Sequence, residues 1–116
     1  IRCDILARLE SDILSQLSAG APTGADASMM KILGTELQQR VTELALDAAG
    51  PLARAFQPGV AMPGGPIPAH ELDDYCTGEV WQAIAPLRYL NERAGSIYAG
   101  TNEIQRNILA KAELGI

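Results

Sequence analysis

The sequence predicts an all-α domain, an up-down helical bundle of about four helices. Three observations carry that reading. Apolar residues recur at steps of three and four in four separate stretches. No stretch alternates with the two-residue period of a strand, and there is no internal repeat. Glycine and proline gather between the periodic stretches rather than inside them. With 116 residues, 47% of them hydrophobic, the chain is sized for one domain with a real core and is not a disordered segment. Only 4% of residues are aromatic, so that core is expected to be aliphatic.

The first helix is expected over residues 1–19. Ile5, Leu9, Ile13 and Leu17 form a stripe with Leu6 and Leu14 beside it, and Ala19-Gly20 followed by Pro22 stops it. Ile1 already sits inside the amphipathic pattern, so the sequence is expected to be a fragment lacking its first helix and to carry one exposed apolar face. Thr23 or Asp26 is placed to cap the second helix, from about Ala25 to Ala49. Met30, Leu33, Leu37, Val41, Leu44 and Ala48 make its stripe, while Glu36, Gln39, Arg40, Glu43 and Asp47 turn mostly away. Gly50-Pro51 ends it.

Residues 51–75 read as a long Pro/Gly-rich surface loop centred on MPGGPIP. Helical character resumes near Thr77, with Pro86 suited to a first turn or a kink. Leu87, Leu90, Ala94, Ile97 and Tyr98 form the expected inner side. Gly100 breaks the pattern, and Thr101 caps a last helix in which Ile104, Ile108, Leu109 and Ala112 share a face.

Charge and cysteine content exclude several classes. Nine Lys plus Arg against 14 Asp plus Glu give a net charge of −5, which argues against nucleic acid and anionic membrane surfaces as partners. No apolar run reaches the roughly 20 residues a membrane span requires. Cys3 and Cys76 lack metal-type spacing and an activating neighbour, so both read as inert thiols of a cytoplasmic protein. His70 with Glu71, Asp73 and Asp74 reads as a solvated acidic turn, and no metal site is assigned. Trp81 reads as a packing anchor, and Met29, Met30 and Met62 need no cofactor to explain them.

The most informative stretch is GSIYAGTNEIQRNILA, residues 95–110. It reads as a helix, a glycine break and a new helix whose first turn, from Thr101 to Ile104, presents N–H groups and the positive end of the helix dipole. Such a turn binds a phosphate or pyrophosphate oxygen, and Gly100 lets a ligand approach the backbone. The same residues also describe an ordinary helix–turn–helix corner, and physics alone leaves both readings open.

Residues Ser96 to Ile108 resemble the C-terminal signature of the acyl-CoA dehydrogenase flavoenzymes, Y-x-G-[ST]-x-[EQ]-I-Q. Ala27 to Lys31 with Glu36 resembles the family's penultimate long helix, and Pro86 to Arg93 fits the helix before the signature. The resemblance covers nearly the whole chain apart from the Pro/Gly loop. It implies the last helical bundle of a three-domain oligomeric enzyme, a homo-oligomer or a heteromeric one. The implied reaction is α,β-dehydrogenation of an acyl-CoA substrate, with FAD as cofactor and electron-transfer flavoprotein or a similar acceptor as partner. A carboxylate base takes the α proton, a role suited to a desolvated Glu with a raised pKa.

Carried over by residue, the resemblance assigns FAD contacts to Thr101, Asn102 and Glu103. Glu103 is expected toward the ribose or adenine side, or in a plain helix-dipole role. It assigns the substrate wall to Tyr98, Ala99 and Gly100. Gly50 matches the first glycine of a second FAD loop, often Q-x-x-G-G-x-G, but Asp47 replaces Gln and two glycines are gone. No catalytic residue is assigned, because Ala99 occupies the position of the catalytic Glu found in many members. The base is therefore expected from an earlier helix, upstream of Ile1. Two other readings stand beside that one. The chain is a partner subunit of a heteromeric enzyme, or it is a non-catalytic helical interaction module. The fragment alone is expected to be inactive.

Overall fold

A computed structural model describes residues 1–22, 25–57 and 77–115. Among them the fold is all-α, as expected. The elements are α1 (Arg2–Ser18), α2 (Asp26–Ala49), a 3-10 turn (Gly50–Arg54), α3 (Val80–Glu92), a second 3-10 turn (Arg93–Ser96) and α4 (Asn102–Leu114). The chain forms two compact units, Ile1–Gln38 with Ala94–Ile116, and Gln39–Arg93.

Local chemistry accounts for the helix ends. Residue Gly20, at φ +83°, follows the end of α1 and takes the left-handed conformation that glycine tolerates. Ala49 closes α2, and Gly50, at φ +58°, turns the chain into the 3-10 turn with Pro51 in its first positions. Asp26 lies inside the first turn of α2 rather than at its cap, and Thr23 lies outside the described residues. Helix α3 starts at Val80, three residues later than expected, because Glu79 and Gln82 form a capping box in which the Glu79 N–H donates to Gln82 Oε1 at 2.9 Å. Pro86 sits within α3, not in its first turn. There it removes the N–H that would have reached the carbonyl of Gln82.

In the unit Gln39–Arg93, the Gly50–Arg54 turn packs on α3. The part of the expected loop at residues 51–54 is thus helical. Gln57 brackets Thr77, accepting from its N–H at 2.8 Å and donating to its carbonyl at 3.2 Å. Residues 58–76, which hold the rest of the expected loop with Met62, His70, Glu71, Asp73 and Asp74, and then Cys76, lie outside the described residues.

Burial overturns most of the expected inner faces. The buried apolar residues are Ala25, Ile32, Ala49, Ala83 and Ala85, and none of the described large side chains is fully buried. On α2 the buried seam runs through Ser28, Ile32 and Thr42, with Thr35 and Gln39 half-buried on the same line. The expected stripe lies on the opposite side of the helix, about 180° from that seam. Its members Leu33, Val41 and Leu44 are exposed. Likewise Leu90, Ile97, Tyr98, Ile104 and Ile108 face outward, and α1 buries nothing. Trp81 is about half exposed, against its reading as a packing anchor. The reason is that the seams close around small side chains and polar groups that find partners within this chain. Apart from Ile32, the large aliphatic side chains among the described residues stay half-buried or exposed, the pattern of a chain with unpartnered faces.

Candidate functional site

The signature stretch folds as a tight turn between two helical segments of one unit. The N–H groups of Ile97 and Tyr98 both donate to the Ala94 carbonyl, at 2.9 and 3.1 Å. The chain then reverses through two consecutive left-handed residues, Ala99 at φ +55° and Gly100 at φ +84°. Glycine adopts that conformation freely. For Ala99 the Cβ crowds the next carbonyl, at a cost of about 1–2 kcal/mol. Thr101 is extended and caps α4 as expected, its Oγ1 accepting from the Ile104 N–H at 3.3 Å. Tyr98, Ala99 and Gly100 are all exposed. The space on the Cβ side of Gly100 is filled, however. A Cβ built there would meet Gln105 Nε2 at 2.8 Å, and the same nitrogen donates to the Ala99 carbonyl at 3.3 Å.

Asn102 is buried, and its side chain points into the protein. Its Oδ1 accepts from Lys31 Nζ at 2.6 Å, and its Nδ2 donates to Thr35 Oγ1 at 3.0 Å. Thr35 spends its own proton on the Lys31 carbonyl at 2.9 Å, which leaves its oxygen free to accept. The first turn of α4 is thereby pinned to α2. Any contact that Asn102 makes with a ligand must come from its backbone.

Glu103 is exposed, with Arg106 3.8 Å away and Arg106 in turn paired with Glu36. Its carboxyl sits below the ordinary value of 4.5, first because its own backbone N–H donates to it and next because the Thr101 hydroxyl does, with Arg106 and Lys31 adding attraction. An ionised carboxylate thus already occupies the positive end of α4.

Gly50 belongs to the other unit. It borders a groove of about 530 Å³ whose wall includes Leu46, Asp47, Arg54, Tyr89 and Leu90. Below Tyr89 lies a hub that spacing alone concealed. Arg93 Nε donates to the Tyr89 carbonyl at 3.1 Å, NH1 to Glu43 Oε1 at 3.1 Å, and NH2 to the Gln39 carbonyl at 3.0 Å and Thr42 Oγ1 at 3.2 Å. Its guanidinium carbon also stands 4.4 Å from the Tyr89 ring centroid. Glu43 is held below 4.5 by hydrogen bonds from Arg40 and Arg93. Gln39 and Glu43 therefore turn inward, against the expectation that they face away.

Of the expected site residues, Tyr98 to Glu103 form one continuous turn, and Gly50 stands in its own unit on a groove. The partners that position them, Lys31, Thr35 and Gln105, were missed as such. Gln105 had a signal, since it is part of the signature, whereas Lys31 and Thr35 lie 71 and 67 residues from Asn102 with nothing in their spacing to link them. Among the described residues no group of three or more His, Cys, Asp or Glu is placed to hold a metal ion. No helix among them is long and apolar enough to cross a membrane. Cys3 is an exposed free thiol.

Comparison with known proteins gives a consistent result. The family described as acyl-CoA dehydrogenase, C-terminal domain, matches residues 1–114. The chain is 37% identical over 89 residues to acyl-CoA dehydrogenase IpdE1 of Mycobacterium tuberculosis, covering 77% of this chain and 18% of that protein. It is 33% identical over 89 residues to acyl-CoA dehydrogenase IpdE1 of Mycolicibacterium smegmatis, covering 77% of this chain and 17% of that one. The chain thus spans less than a fifth of the length of these curated relatives. No solved structure matches it.

Proposed function

The chain belongs to the acyl-CoA dehydrogenase family, as a C-terminal helical domain, and on that premise we propose that its 98–103 turn completes a flavin and acyl-thioester site in a larger oxidoreductase. The parent reaction in this reading is α,β-dehydrogenation of an acyl-CoA. The observation that carries it is the geometry of the turn, two left-handed residues leading straight into a Thr-capped helix start.

The donor set bears on which part of FAD the turn meets. With the Glu103 carboxylate over the start of α4, a phosphate is repelled there. An acceptor of that kind suits sugar hydroxyls and an exocyclic amine, so the ribose–adenine end of the cofactor fits and the pyrophosphate does not. Thr101, Glu103 and the Asn102 backbone are the residues that hold it. FAD, when bound, supplies the acceptor for the hydride lost from the β carbon. Tyr98, Ala99 and Gly100 wall the thioester end and exclude water from it. The methyl group of Ala99 cannot take the α proton, so the base belongs to another part of the parent. Exposed aliphatic faces on α1, α2 and α4 support an oligomer interface. The acceptor of the electrons is electron-transfer flavoprotein or a similar protein.

The test is the visible spectrum of the parent protein purified without added flavin, followed by anaerobic addition of a panel of acyl-CoAs. A yellow protein whose flavin bands bleach with one acyl class is the expected result. A colourless protein that takes up no FAD would overturn the reading. Ala99 itself favours a second reading, a partner subunit of a heteromeric enzyme. Its mark is a flavin that bleaches only after the catalytic partner is added.

A further inference from the structure

We propose that Gln105 is a positioning residue that straps the Ala99–Gly100 turn into its left-handed shape, an assignment that rests on the site reading given above. Three features of the turn meet at this side chain. Ala99 holds a φ of +55°, a conformation an alanine does not keep unless its surroundings impose it. The Gln105 Nε2 group donates to the carbonyl of that same residue at 3.3 Å. The same amide also lies in the space a Cβ at residue 100 would need, 2.8 Å from that position. Gly100 is favoured by its φ of +84°, and a Cβ at that position would also push the end of the Gln105 side chain aside.

The register explains why residue 105 does this. The Gln105 N–H donates to the Thr101 carbonyl at 2.9 Å, closing the first full turn of α4. Its side chain leans back toward the N-terminus, as helical side chains do, and so returns over the turn that precedes the helix. The strap joins the most regular part of the site to its most strained part. It acts on Ala99 and Gly100, the residues proposed to wall the thioester, and does not itself reach the reacting atoms.

The discriminating variant is Gln105→Met, which keeps length and helix propensity and deletes the donor. In the parent holoenzyme we expect the KM for the preferred acyl-CoA to rise or kcat to fall by about tenfold while Tm moves by less than about 2 °C, since loss of one partly exposed hydrogen bond costs little stability. Gln105→Lys, which restores a donor at similar reach, recovers most of that loss. Unchanged kinetics in Gln105→Met overturn the proposal. A large fall in Tm with unchanged kinetics per folded enzyme also overturns it, because that marks a purely structural side chain. A parent that binds no flavin refutes the site reading instead, and the backbone conformation of Ala99 in solution then decides the strap. Backbone chemical shifts of Ala99 that move away from left-handed values in Gln105→Met support it, and unchanged shifts overturn it.

Discussion

Asn102 supplies the sharpest quantitative prediction, because its side chain is buried among named partners. Replacing it by Ala removes a charge-assisted hydrogen bond from Lys31 at 2.6 Å and a neutral one to Thr35 at 3.0 Å. The first is worth about 1.5–3 kcal/mol and the second about 1 kcal/mol. Lys31 is half-buried and recovers part of its loss by turning to water. The net cost is then about 2–3 kcal/mol, which for a chain of this size lowers Tm by about 10 °C. Thermal and urea unfolding of the 116-residue chain followed by circular dichroism measure it. Lys31→Met in both backgrounds closes a double-mutant cycle, with an expected coupling of at least about 1 kcal/mol. Asn102→Asp keeps the acceptor for Lys31 but loses the donor to Thr35, so it falls between wild type and Asn102→Ala. A cost below about 0.5 kcal/mol, or a coupling indistinguishable from zero, would refute the claim that this amide pins the start of α4.

Two further predictions concern the hub on α3. Arg93→Met removes the guanidinium from two backbone carbonyls, the Thr42 hydroxyl, Glu43 and the Tyr89 ring, and is expected to cost about 2 kcal/mol, read as a lower urea midpoint. Glu43 adds a pH dependence whose sign follows from its depressed pKa. Its contribution is fully present above the ordinary value of 4.5 and is lost as pH falls through the lower, folded value. The stability difference between wild type and Glu43→Gln is therefore constant near neutrality and shrinks in acid below 4.5, and a difference that grows there would contradict the assignment.

The site was legible where its chemistry is local. The cap at Thr101 and the break at Gly100 follow from residue type and position, and the structure places both as expected. The direction of Asn102 did not follow. The resemblance assigns Asn102 to the flavin, yet its side chain faces Lys31 and Thr35. Arg93 read as one more residue of a helix pattern, because its acceptors at Gln39, Thr42 and Glu43 lie 50 or more residues away.

By itself the amino-acid sequence determined that the chain is helical, where α1 stops, where α2 gives way at Gly50, where α4 begins, and which family it joins. Those features depend on interactions within about four residues, or on a motif contiguous in the chain. Only the tertiary structure decided which faces are inside. On α2 the aliphatic stripe Leu33, Val41 and Leu44 stays exposed while Ser28 and Thr42 are buried. The physical reason is that periodicity records how hydrophobic a face is, not whether anything is there to cover it. In this chain the buried seams are set by small side chains that let backbones approach, and by polar groups with partners distant in sequence.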